Sequence, residues 1–147
     1  MEKSKHKGVK YFLEGYNCAQ SVFLAFANRY GIDQETALKI SSSFGGGMGR
    51  LREVCGAVTA MFAIIGLECG YTNPTDHQAK TEHYKRIQAL AEKFKAEHNS
   101  IICRELLGSL AKSNSYIPEK RTDEYYKVRP CVKFVQTACE ILENELS

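Results

Sequence analysis

The chain has 147 residues, 44% hydrophobic and 25% charged, with three prolines, which is the usage of one folded domain and excludes a disordered or linker-rich chain. Twenty basic residues against 17 acidic leave a formal charge of +3, so the electrostatic footprint of a nucleic-acid binder is missing. The longest uncharged apolar run, 54–67, is shorter than the roughly 20 residues of a membrane span, and Glu14, Gly15 and Asn17 interrupt any signal-peptide core after the basic stretch 1–10, so a cytoplasmic protein without membrane insertion is expected.

The first predicted helix, 3–14, is charged, carries Val9, Phe12 and Leu13 on one side and closes at Gly15. Asn17 then offers a cap, and Gln20 completes a capping box before an apolar helix that runs to Tyr30 and ends on Gly31. Asp33 caps a third helix with Ala37, Leu38 and Ile40, leading to Phe44 and a glycine cluster, Gly45, Gly46, Gly47 and Gly49. A fourth helix begins between Leu51 and Cys55. Because 54–67 has no charge on any face, this helix should pass through the centre of the fold.

Asn73 and Pro74 read as cap and first-turn proline of a long helix to His98, with Tyr84, Ile87, Leu90, Ala91 and Phe94 at helical spacing. Ser100 caps a short helix through Leu107 that Gly108 stops, and 109–128 reads as an irregular excursion over the surface. A last helix from Pro130 to Glu145 carries the stripe Cys131, Val135, Ala138 and Leu142. There is no internal repeat, low-complexity segment or strong strand signal. The expected architecture is all-α, a single-domain helical bundle over 1–147 around a buried central helix.

Six cysteines in a reducing compartment are not a disulfide framework and need another explanation. The attacking species in thiol chemistry is the thiolate, which a helix N-terminus or a nearby cation stabilises. Cys18 follows the cap Asn17, Cys55 opens the central helix after Arg52, Cys103 follows Ser100 and precedes Arg104, and Cys131 follows Arg129 and Pro130. Those four are the candidate reactive thiols. Cys69 beside Glu68 and Cys139 beside Glu140 have neighbours that favour the neutral thiol and read as structural, while the bland alternative makes all six small core residues.

The stretch Phe44-Gly-Gly-Gly-Met-Gly-Arg50 followed by Val54-Cys-Gly-Ala-Val-Thr-Ala60 resembles the redox-active protein family named for its C_GCAxxG_C_C cysteine pattern. Tyr16-Asn-Cys-Ala-Gln20, Cys103-Arg-Glu-Leu-Leu-Gly108 and Arg129-Pro-Cys131 fit the same pattern, so the likeness spans about 15–142. The resemblance implies a small helical protein whose four characteristic cysteines are Cys18, Cys55, Cys103 and Cys131. One position departs: the motif's final glycine is Ala60 here, a residue still small enough for close helix packing.

Other signals are weaker. The glycine run lacks the Lys-Ser/Thr pair of a nucleotide loop and no strand precedes it; the glycines instead let the loop place amide groups and Arg50 or Arg52 beside Cys55. His77, His83 and His98 lack the i, i+4 spacing of a metal face and read as solvent-exposed, and Tyr84, Phe94, Tyr125 and Tyr126 are more simply core than a pocket. The leading function is thiol redox chemistry, as a thiol–disulfide oxidoreductase or a redox sensor, with Cys55 attacking and Cys18, Cys103 or Cys131 resolving. Its partner would be a redox protein, a small thiol or disulfide, or a second copy of the chain in a homodimer. The alternatives are an iron–sulfur cluster or zinc on the same four thiolates, zinc being disfavoured by the absence of a C-x-x-C pair, and a non-catalytic helical interaction module.

Overall fold

The computed structural model describes residues 4–111 and 113–147; among these the chain is helical, with no strand and one isolated antiparallel bridge between Val54 and Ile102. Lys3, the expected start of the first helix, lies outside the described residues, and α1 runs Ser4–Leu13. Asn17 and Gln20 form the expected capping box: Asn17 Oδ1 accepts from the Gln20 amide at 2.8 Å and Gln20 Oε1 from the Asn17 amide at 3.2 Å. The helix they open, α2 (Cys18–Ala27), tightens into a 3-10 turn, Asn28–Tyr30, and Gly31 closes it in the left-handed conformation at φ 73°.

Asp33 caps α3 (Gln34–Ser41) through the Thr36 amide, and a 3-10 turn, Ser42–Phe44, replaces the last predicted turn. The short α4 (Gly45–Met48) is helical in name only, since Gly46 and Gly47 both have positive φ. Next come α5 (Gly56–Cys69), α6 (His77–His98), α7 (Cys103–Leu107) with a 3-10 turn at Gly108–Leu110, α8 (Asp123–Val128) and α9 (Cys131–Leu146).

Apolar burial explains the packing. The α5 helix is central as expected as far as Ile65, with Gly56, Ala57, Val58, Ala60, Met61, Ile64 and Ile65 buried, while its last turn reaches solvent at Leu67 and Cys69. It shares the centre with α2, which buries Val22, Phe23 and Phe26 and packs on α1, α3, α5 and α9. Ala60 is fully enclosed between helices. Each large apolar side chain removed from water here is worth about 1.5–3 kcal/mol. No helix among the described residues is long and apolar enough to cross a membrane.

Two boundaries differ from expectation for a common reason, a polar side chain with two local uses, and the surface excursion holds a helix. Asn73 closes a turn by accepting from the amide and hydroxyl of Thr75, so Asp76 caps α6 instead through the Ala79 amide. Ser100 Oγ accepts from the Ile102 amide and bonds Glu105, which delays α7 to Cys103. The excursion at 109–128 contains α8, capped by Thr122. On the long helix only Leu90 and Phe94 are buried; Tyr84 is exposed against Tyr71, so α6 lies on the bundle by its C-terminal half.

Candidate functional site

The chain reaches the site through glycines that have no room for a side chain. A Cβ at Gly45 would meet the Asn17 side chain at 2.5 Å, one at Gly47 would meet Cys103 Cβ at 2.6 Å, and one at Gly56 would meet the Phe44 carbonyl at 2.5 Å and Cys18 Sγ at 2.7 Å. Those close approaches fold the loop between α3 and α5 against the starts of α2 and α7. Backbone bonds finish the assembly: the Cys55 amide donates to the Ile101 carbonyl at 2.8 Å and the Cys103 amide to the Glu53 carbonyl at 2.6 Å, around the Val54–Ile102 bridge. Cys18, Cys103 and Cys131 are first residues of their helices and Cys55 precedes the first residue of α5, and all four line one cavity of about 280 Å³.

Within the cavity the sulfurs are unequal. The Cys55 thiol donates a hydrogen bond to Cys18 Sγ, and the amides of Gly46, Ala19 and Ala57 point at the same atom, which outweighs burial and brings the Cys18 thiol down from 9.0 to about 6. Ala19 and Ala57 are the second residues of α2 and α5, so the sulfur lies where two helix N-termini meet. The donor is pushed the other way: Cys55 is raised well above the ordinary thiol value by its bond to Cys18, by burial and by the Cys18 charge.

Position at a helix start does not suffice for the other two. Burial raises Cys103 in spite of Arg52, whose Nη1 lies 3.7 Å from its sulfur, and burial followed by the Cys18 charge pushes Cys131 up to about 12. The loop thus sends an amide, that of Gly46, to Cys18 and a guanidinium, that of Arg52, to Cys103; neither goes to Cys55 as expected.

A group of cations lines the same cavity. Arg50, Arg52 and Arg129 all converge on Glu119 Oε1, with Arg50 Nη2 at 2.9 Å and Arg52 Nη2 at 3.7 Å. Arg50 Nη1 also donates to the carbonyls of Ser115 and Ile117, and Arg52 Nε to that of Ser113 at 3.1 Å, so two loop arginines carry the 113–119 segment over the cavity. Arg52 is 5% exposed, yet its Nη2 has no hydrogen-bond partner. Sequence reasoning missed Glu119 and left Arg129 as a signpost; the only available signal was the adjacency of Arg129 to Cys131, because nothing local marks the segment at 119 as a cavity wall.

Of the remaining expected residues, Gly45, Gly46 and Gly49 line the cavity and Gly47 packs behind Cys103, whereas Arg104 points to solvent and pairs with Glu53 at 2.8 Å. Cys139 is a buried core thiol; Cys69 is exposed and accepts from Arg86 at 2.8 Å. Of the aromatics, Tyr125 lines the cavity, Tyr126 packs beside it and Phe94 is core. His98 corrects the solvent-exposed reading: it bonds Thr137 Oγ1 at 2.8 Å and packs on Phe94 and Phe134. All six cysteines are free, and among the described residues no three His, Cys, Asp or Glu side chains are grouped to hold a metal ion.

Residues 16–145 match the family described as Putative redox-active protein (C_GCAxxG_C_C). No curated protein and no solved structure matches the chain. With nearly its whole length matched, from Tyr16 ahead of the first cavity cysteine to Glu145 in α9, the chain belongs to this redox-active C_GCAxxG_C_C family.

Proposed function

We propose that the chain is a dithiol redox protein in which Cys18 attacks and Cys55 resolves. The observation that carries the reading is the convergence of Cys18, Cys55, Cys103 and Cys131, from the starts of four helices, on one cavity; the half-buried Cys18, its thiol lowered to about 6 by Cys55 and the amides of Gly46, Ala19 and Ala57, is the natural attacker there. In the first step the Cys18 thiolate attacks one sulfur of a disulfide R–S–S–R′; the new Cys18–S bond forms, the old S–S bond breaks, and R′S⁻ leaves with the electron pair. In the second, Cys55 gives its proton to R′S⁻ and its sulfur attacks Cys18 Sγ, expelling RS⁻. The two cysteines lose two electrons in all, and the disulfide gains them as one thiol and one thiolate. Cys103 and Cys131, protonated on the cavity wall, are the alternative resolving thiols.

Limited alkylation of the reduced protein at slightly acidic pH, followed by peptide mapping, tests the reading. Cys18 should take the label first and Cys55, Cys103 and Cys131 much later; an unstructured cysteine peptide supplies the rate of an unactivated thiol. After exposure to a small disulfide, a Cys18–Cys55 linked peptide should accumulate. Labelling of Cys18 slower than that of the peptide, with no linked peptide among the four cavity cysteines, favours the packing role.

A further inference from the structure

Three guanidinium groups meeting one carboxylate oxygen leave the cavity wall with uncompensated positive charge, and Arg50, Arg52 and Arg129 have side-chain exposures of only 12%, 6% and 8%. One of the donors, Arg52 Nη2, is buried with no hydrogen bond made, and Glu119, the anion they share, is the least buried member at 41%. The arrangement is that of a seat for a planar oxyanion whose present occupant belongs to the chain itself and is reachable from solvent. The seat shares its cavity with Cys18, and about 280 Å³ is near the lower end of small-molecule pockets, room for one half of a low-molecular-weight disulfide.

We propose that this cavity takes a small disulfide bearing a carboxylate, which replaces the Glu119 carboxylate on Arg50, Arg52 and Arg129 while the disulfide meets Cys18. The proposal rests on the dithiol reading and adds the substrate class to it. The exchange follows the balance already given: Cys18 bonds to the sulfur of the carboxylate-bearing half, and the other half leaves as thiolate. Glu119 acts as a built-in competitor that covers the arginines when no substrate is present.

Three disulfides of similar size separate charge from chemistry: dithiodipropionate, neutral bis(hydroxyethyl) disulfide and cationic cystamine. A bare thiolate repels the dicarboxylate, so the reverse preference has to come from the protein. Reaction at Cys18, read by intact mass as the mixed disulfide together with the two-mass-unit loss of the Cys18–Cys55 disulfide that follows it, should proceed about tenfold faster with dithiodipropionate than with the neutral compound and slowest with cystamine, and the advantage should shrink in high salt. Glu119→Gln should raise the dicarboxylate-to-neutral rate ratio severalfold. If the neutral or cationic disulfide reacts at least as fast, the anion seat is wrong while the dithiol reading stands. If none of the three modifies Cys18, the dithiol reading fails, and the seat is judged by titration with thiodipropionate, a thioether that cannot exchange. Saturable binding weakened by salt and by Arg50→Gln then keeps the seat; no binding ends it.

Discussion

Cys18 and Cys55 carry the same side chain and act on each other's titration in opposite directions, and the proposed mechanism assigns the charge to Cys18, the one that is lowered. Cys18 accepts from Cys55 and from three amides, so its charge is spread over donors fixed by two helix starts. Cys18 is held below the ordinary thiol value, so its thiolate is present above about pH 6 and is lost as pH falls through that point. Its alkylation rate should therefore rise up to about pH 6–7 and then level off, whereas an ordinary thiol keeps accelerating until about pH 9. Cys55→Ala removes the largest cause of the shift and leaves the burial, so the inflection should move upward by about a unit or more, read from the ultraviolet absorbance of the thiolate against pH. An inflection that stays in place would mean the amides alone hold the charge. The sequence marked Cys18 and Cys55 alike as helix-start thiols and put Cys55 first for the arginines and glycines beside it; the influence of Gly46 and Cys55 on Cys18 comes from residues far along the chain and has no local signal.

The segment between α3 and α5 turns that local signal into a site, and it does so in a backbone conformation that L-residues avoid. Met48, Arg50 and Arg52 have φ of 70°, 69° and 65° without being glycine, each a strain of about 1–3 kcal/mol that the surrounding bonds must hold in place. That strain turns both arginine side chains onto the 113–119 segment. The glycines differ in what they tolerate. Gly31 and Gly47 both have positive φ, but a Cβ at Gly31 finds open space whereas one at Gly47 meets Cys103 Cβ and the Glu53 amide nitrogen at 2.8 Å. Gly31→Ala should cost about 1–2 kcal/mol, the left-handed penalty alone. Gly47→Ala should cost about 1–3 kcal/mol more and slow Cys18–Cys55 disulfide formation, both measurable by urea denaturation and timed alkylation. Equal costs at the two positions would mean the loop can move away from α7. Helix caps at Asn17 and Asp33 were legible because cap and amide lie three residues apart; the start of α6 was not, since Asn73 and Asp76 compete to be the cap and the turn geometry at Thr75 decides.

At the scale of the molecule, the charge-free run at 54–67 was enough to place α5 in the core, since no face of it could meet water throughout. What the pattern could not show is how the stretch after α7 returns to the start of the chain. Arg121 makes that connection: its Nη1 donates to the Phe12 carbonyl at 2.8 Å and its Nη2 to the Tyr16 carbonyl at 2.9 Å, with the guanidinium 4.2 Å above the Phe12 ring and 5.0 Å from that of Tyr125. The carbonyls belong to the end of α1 and to the turn before the Asn17 cap, so one side chain ties the covering segment to the entry of the Cys18 helix. Arg121→Ala would leave both carbonyls without this donor and remove the stacking. Each charge-assisted bond is worth about 1.5–3 kcal/mol, so a loss of about 3 kcal/mol is expected by urea denaturation. Arg121→Lys keeps the charge but not the fork that spans two carbonyls, and should recover less than half of the loss. Because Arg121 does not touch the Cys18 sulfur, the pH midpoint of Cys18 should stay put in both variants while its alkylation quickens as the cavity wall loosens. Full recovery by lysine would mean that charge, and not the two-pronged bond, holds the segment in place.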